Sequence, residues 1–181
     1  MKLLIQVPCY NEEQEIHNTI NNLPLKITGI KKVDILIIND GSTDRTLKIL
    51  KSIKNINIIS LKRNMGLGIA FQKGLDFARD NAYDYVINVD ADNHFKTDDI
   101  SKLYLELLNT NSDIVIGSRN IYKIKHFSIF KKFFHKLGSY VVRLISGIKI
   151  SDAVCGLRIY NKDAINNIYV TSNFSYTLDT I

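Results

Sequence analysis

Five short aliphatic runs, each closed by turn-forming or acidic residues, alternate along this chain with stretches of helical periodicity. Leu3–Val7 stops at Pro8, and Val33–Ile38 stops at Asn39-Asp40-Gly41-Ser42. Ile56–Ser60 is short, Tyr85–Val89 runs into Asp90-Ala91-Asp92, and Asp113–Gly117 closes on Ser118-Arg119. The intervening pattern predicts one helix opening at Asn11 as N-cap, with acids in its first turn, and a second from about Thr43 to Ile53. A third follows Gly66-Leu67-Gly68, and a fourth lies near Asp98 to Leu108. Strands and helices alternating at this spacing imply βαβ units and a mostly parallel sheet.

At 181 residues and 45% hydrophobic content the chain can bury one full core, so one domain is expected. It contains no apolar run long enough to span a bilayer, and Met1–Ile5 is too short for the apolar core of a signal peptide. Cys9 and Cys155 lie far apart and match no metal-ligand spacing, which suits reduced thiols in a cytoplasmic protein. The net charge of +6 points to anionic partners without choosing among phosphates, lipid headgroups and nucleic acid.

The chemistry concentrates where the aliphatic runs end. In an extended chain Asp90 and Asp92 project to the same side, and open α/β sheets bind ligands outside the carboxyl ends of their strands. Two hard oxygen donors there suit a Mg²⁺ or Mn²⁺ that also holds phosphate oxygens, although for Asp-x-Asp alone a solvated acidic turn is the favoured account. Tyr10 offers a ring for stacking on a nucleobase. Asp40 can accept from a base N–H, and Gly41 permits close backbone approach; an Asx turn with a helix cap is the plainer account of Ser42 to Asp44. The glycines of Asn64–Ala70 and Gly74 lack the spacing of a Walker loop or a dinucleotide fingerprint and suit tight helix packing, with Arg63 near enough to meet a pyrophosphate. Arg119 and Arg158 each stand beside a Gly, and guanidinium grips phosphate bidentately.

Taken in order, these blocks resemble the family 2 inverting glycosyltransferases. The matching pieces are Pro8–Glu13, Asn39–Thr46, Asn64–Gly74, Asp90-Ala91-Asp92 and Gly117-Ser118-Arg119, and the likeness covers essentially the whole chain. Asp152-x-x-x-Gly156-Leu157-Arg158 is similar to a block of the polyprenyl- and dolichyl-phosphate sugar synthases, with Cys155 and Leu157 replacing the usual Ser and Phe.

The resemblance implies a GT-A (Rossmann-like) α/β fold of three layers around a mostly parallel sheet. It implies a donor site drawn from Pro8, Tyr10, Glu12, Asp40, Gly41, Asp90 and Ala91. Asp90, Asp92 and His94 would hold Mg²⁺ or Mn²⁺, His94 standing where a Gln is common. Transfer from a UDP- or GDP-sugar would go to a polyprenyl phosphate or a glycan, with no nucleic-acid partner. Arg119 and Arg158 would orient a lipid phosphate, whereas a hydroxyl acceptor would need Asp152 or Asp179 as base. On this resemblance residues 1–119 would form the donor half and 120–181 an incomplete acceptor half. A nucleotidyltransferase is the rival enzyme, disfavoured because its basic Gly-rich loop is replaced here by Pro8-Cys9-Tyr10-Asn11-Glu12; a non-catalytic nucleotide-binding remnant is the other alternative.

Two C-terminal features carry further expectations. From Phe127 to Ile145, apolar residues including Phe130, Phe133, Phe134 and Leu137 recur at helical spacing opposite Lys131, Lys132, Lys136 and Arg143. That helix either packs on the sheet or lies on a membrane, placing the protein peripherally on the cytoplasmic face. A final helix from about Ser175 is too short to persist unaided, so it should fray and leave Asp179 loosely held.

Overall fold

The computed structural model describes residues 1–93, 95–118, 129–148 and 150–181, with the backbone alone described over 129–137. Strands β1 (Lys2–Cys9), β2 (Lys32–Asn39), β3 (Asn57–Ser60), β4 (Tyr85–Asn88), β5 (Ile114–Ile116) and β6 (Arg158–Asn161) form a sheet ordered β3-β2-β1-β4-β6-β5. The first four strands pair in parallel, and β6 is antiparallel to both β4 and β5.

Successive side chains of β1 and β2 enter two different aliphatic cores. Leu3, Ile5, Val7, Ile35 and Ile37 face the layer of α1 (Ile16–Asn21), α2 (Thr46–Ser52) and α4 (Thr97–Thr110). Leu4, Leu36 and Ile38 face α3 (Leu67–Asp80) and α6 (Lys162–Asn167). Strands buried on both faces need unbroken aliphatic runs, which is why these segments do not alternate with polar residues. Each such side chain contributes about 1.5–3 kcal/mol of burial.

Strand order turns around between β1 and β4, because the chain moves outward through β2 and β3 and then returns to the far side of β1. The crevice at that switch point is where this class of sheet accommodates ligands. Pro8 does not stop β1, which runs on to Cys9 with Pro8 opposite Ile38. The reason lies in which way its missing N–H points. Gln6 O accepts from Val89 N on the β4 side, so Pro8, two residues on, also faces that side, beyond the last β4 pairing at Asn88.

Two helices start later than their sequence signals suggest. Asn11 is not a cap: it adopts a left-handed φ of 56°, and its Oδ1 accepts from Thr43 N at 2.8 Å. The chain then turns through residues 13–15 before α1 begins at Ile16. Residues before α2 are occupied by an Asx turn, with Ser42 N on Asn39 Oδ1 at 3.2 Å and Thr46 N on Asp44 Oδ1 at 2.9 Å.

The terminal segment also departs from expectation. No helix forms at Ser175; residues 177–180 make a single turn, closed by Thr180 N on Tyr176 O at 3.1 Å. It is tied down by Val170 N on Gln72 Oε1 at 2.7 Å and by stacking of Tyr176 on Phe71, whose ring centroids are 4.0 Å apart. The basic amphipathic helix appears as α5 (Ile129–Ser146), and the side chains of Phe130, Phe133, Phe134 and Leu137 lie outside the described residues.

Candidate active site

Two cavities open at the carboxyl ends of β1 and β4, and Leu67 and Asp90 stand on the wall of both. The first, about 310 Å³, brings together Pro8, Tyr10, Glu12, Asp40, Asp90, Ala91 and Asp92, along with Asn64, Gly66 and Leu67. Tyr10 is 42% exposed, which leaves its ring available to a ligand.

The two aspartates meet through a turn and not through an extended strand. β4 ends at Asn88, and Ala91–Asp92 turn back under a hydrogen bond from Thr19 Oγ1 to Ala91 O at 2.7 Å. Asn93 follows at φ 56°, its Oδ1 accepting from Asn22 Nδ2 at 2.9 Å. Asp90 is half-buried and Asp92 exposed, both facing the same cleft. Glu12 shares it: burial, followed by the charges of Asp92, Asp44 and Glu15, raises its carboxyl above the ordinary value of 4.5. Behind it, burial and the neighbouring carboxylates of Glu12, Asp44 and Asp40 push the Cys9 thiol up to about 12.

His94 and Arg119 lie outside the described residues. Among the described residues, no group of three or more His, Cys, Asp or Glu is arranged to hold a metal. The pair Asp90 and Asp92 nevertheless fits Mg²⁺ or Mn²⁺, ions commonly held by one or two carboxylates plus substrate phosphates.

Asp40 is buried, and both its oxygens accept backbone N–H groups, from Met65 at 2.7 Å and Gly66 at 2.9 Å. It therefore anchors the 64–66 loop over the cleft while keeping acceptor capacity on its outer lone pairs. Gly41 does not face the cleft. At φ 67° it lies against the backbone of Arg63 and Asn64, where a Cβ would overlap them, so its close approach is to this chain and not to a ligand.

The second cavity, about 410 Å³, has Leu67, Val154, Phe174 and Leu178 as apolar wall, with Ser172, Ser175, Thr177 and Asp179 as polar groups. Asp179 is held, its Oδ2 accepting from Ser172 N at 3.2 Å. Arg158 is not available to an acceptor. It is fully buried, and its guanidinium donates to Cys155 O at 2.8 Å, Ala153 O at 2.7 Å, Thr177 O at 2.9 Å and Thr180 Oγ1 at 2.7 Å. Asp152 is 1% exposed and lines neither cavity, so of the two expected carboxylates only Asp179 reaches a cavity wall. The sequence reading missed three buried polar residues at this site, Gln6, Asn88 and Tyr176, the last on the wall of the second cavity. The signal was there in Gln6 and Asn88, polar side chains inside otherwise aliphatic strands.

Residues 5–169 match the profile of Glycosyl transferase family 2. The chain belongs to this family of glycosyltransferases. It is 32% identical over 177 residues to the UDP-N-acetylglucosamine–dolichyl-phosphate N-acetylglucosaminyltransferase of Methanococcus voltae, covering 88% of this chain and 69% of that one. It is 30% identical to the dolichyl-phosphate beta-glucosyltransferase ALG5D of Trichomonas vaginalis, covering 92% of this chain and 55% of the relative. Among solved structures, S. aureus TarS 1–349 in complex with UDP-GlcNAc superposes with a TM-score of 0.67 at 20% identity, over 99% of this chain and 53% of TarS. Glucosyl-3-phosphoglycerate synthase from Mycobacterium tuberculosis, in complex with Mn²⁺, UDP and phosphoglyceric acid, superposes with a TM-score of 0.62 at 17% identity, over 90% and 56%. The chain thus spans little more than half of each of these two structures, and the likeness establishes the GT-A fold expected from the sequence.

Proposed function

We propose that this family 2 glycosyltransferase moves a sugar from a UDP- or GDP-sugar to a polyprenyl phosphate, with inversion at the anomeric carbon. The observation that carries the reading is Asp90, shared between a cleft lined by Tyr10, Asp40 and Asp92 and a second cavity with apolar walls. A donor's diphosphate and an acceptor's reacting oxygen must meet at one such point. The names of the two dolichyl-phosphate relatives support the acceptor class, and the UDP-GlcNAc complex of TarS supports the donor class.

In this reading Tyr10 stacks on the base, while Asp40 accepts from it and keeps the 64–66 loop closed over it. Pro8, Glu12 and Ala91 shape the cleft, and Asp90 and Asp92 face the diphosphate. Those two carboxylates, with His94, would hold Mg²⁺ or Mn²⁺, which would supply charge neutralisation at the departing diphosphate. A lipid phosphate oxygen is already anionic and needs no strong base, leaving Arg119 to orient it. A glycan hydroxyl is the second acceptor reading, favoured by Asp179 on the wall of the second cavity, where a carboxylate can take a proton. Residues 1–119 then act as the donor half and 120–181 contribute to the acceptor half.

In this reading the last turns of α5 are the contact with a membrane surface. Tyr140, Val141, Leu144 and Ile145 form one exposed stripe, Ile145 at 82%, with exposed Arg143 beside it. No helix among the described residues is long and apolar enough to cross a membrane, so attachment is interfacial in this account.

Titration of UDP and GDP with Mn²⁺ or with EDTA tests the donor site. Asp92→Asn should weaken binding only when the metal is present; equal loss in EDTA would remove Asp92 from the metal site.

A further inference from the structure

β4 ends in Asn88, a fully buried amide where the strand pattern otherwise supplies aliphatic side chains. Its Oδ1 accepts from Gln6 Nε2 at 3.0 Å. Its Nδ2 donates to the Tyr176 hydroxyl at 2.6 Å and to the Gly156 carbonyl at 3.0 Å. The Tyr176 hydroxyl in turn donates to the same carbonyl at 3.0 Å. Two donors from distant parts of the chain therefore converge on one peptide group, in an interior where loss of a partner is expensive.

Gly156 is where this network meets the site. A Cβ at that position would overlap both carboxylate oxygens of Asp90, so the Asp90 side chain rests directly against the Gly156 backbone. Burial and then the negative charge of Asp90 raise the Tyr176 phenol well above its ordinary value, which keeps it a protonated donor. Phe71, stacked on the Tyr176 ring with an interplanar angle of 6°, limits where that hydroxyl can go.

We propose that Asn88 and Tyr176 are positioning residues for Asp90: by gripping the Gly156 carbonyl they fix the backbone wall that sets the Asp90 carboxylate between the two cavities. This rests on the reading of Asp90 as a metal–diphosphate contact. The tail segment carrying Tyr176 is then part of the donor site's support, although it lies 86 positions beyond Asp90 in the sequence (176 − 90). Asn88 lines neither cavity and Tyr176 stands on the wall of the second; toward Asp90 both act through Gly156.

The test compares wild type, Tyr176→Phe and Gly156→Ala by UDP titration with Mn²⁺ and with EDTA, alongside Mn²⁺ electron paramagnetic resonance. Tyr176→Phe removes one grip on the wall, whereas Gly156→Ala pushes the carboxylate away with both grips intact. Each variant should bind UDP in EDTA as wild type does and lose roughly tenfold of the Mn²⁺-dependent gain, the order of effect carried by groups that orient metal ligands. The Mn²⁺ spectrum should change in both. A gain preserved in folded Tyr176→Phe overturns the inference and leaves the donor reading intact, with Gly156→Ala as the control in which the carboxylate itself is displaced. A wild type with no Mn²⁺-dependent gain overturns the donor reading, and the inference with it. Should Tyr176→Phe fail to fold, Asn88→Ser, which removes the other grip on the Gly156 carbonyl, decides by the same readouts.

Discussion

Arg158 Nη1 donates to Thr180 Oγ1 at 2.7 Å and to Thr177 O at 2.9 Å, so a fully buried cation on β6 holds the last turn of the chain. Replacing it with Met should destabilise the fold, because the carbonyls of Cys155, Ala153 and Thr177 lose their donor. Each buried acceptor left unpaired costs about 1–3 kcal/mol. The denaturation midpoint of Arg158→Met should fall, and amide exchange over residues 176–181 should accelerate. Slow exchange there in wild type is the accompanying expectation, opposite to the fraying that helix length alone suggests.

Glu12 makes the nucleotide cleft a pH-dependent weakness. Its folded-state carboxyl titrates above the ordinary 4.5, through burial first and the charge of Asp92 next. The unfolded chain therefore releases this proton first as pH rises, and stability falls from about 4.5 up through the raised value. Glu12→Gln should be more stable than wild type at neutral pH and indistinguishable from it below 4.5. Denaturant midpoints across pH check this, and Mg²⁺ should narrow the neutral-pH difference by offsetting the charge of Asp92.

How far the sequence was legible follows the range of the forces involved. β1 to β4 and the cleft residues Tyr10, Asp40, Asp90 and Asp92 could be read because aliphatic runs and strand-end motifs are local. Arg158 was misread because a Gly-Leu-Arg motif is silent about whether its guanidinium faces solvent or four acceptors inside. Gly41 was misread for a related reason: its positive φ serves the Arg63–Asn64 backbone, a neighbour only after folding. The tail was misjudged by treating it as an isolated helix, whereas Tyr176 and Thr180 are secured by contacts with Phe71, Asn88 and Arg158.

The proposed membrane contact through α5 gives a salt-dependent prediction. Binding to vesicles containing anionic lipid should exceed binding to neutral vesicles and should weaken as salt rises, since each surface Lys or Arg contributes about 1 kcal/mol and is screened. Leu144→Ser combined with Ile145→Ser should reduce vesicle binding without changing UDP affinity in solution. Unchanged flotation of the double variant would show that another surface makes the contact.

Sugar transfer itself is the most direct test of the central claim. The chain is incubated with a panel of UDP- and GDP-sugars and Mn²⁺, with and without polyprenyl phosphate, and both nucleotide diphosphate and lipid-linked sugar are measured. The account predicts that one donor yields a lipid-linked sugar of inverted anomeric configuration, with nucleotide diphosphate release that depends on the lipid phosphate. Release that is indifferent to the lipid phosphate, with no lipid-linked product from any donor, would contradict it.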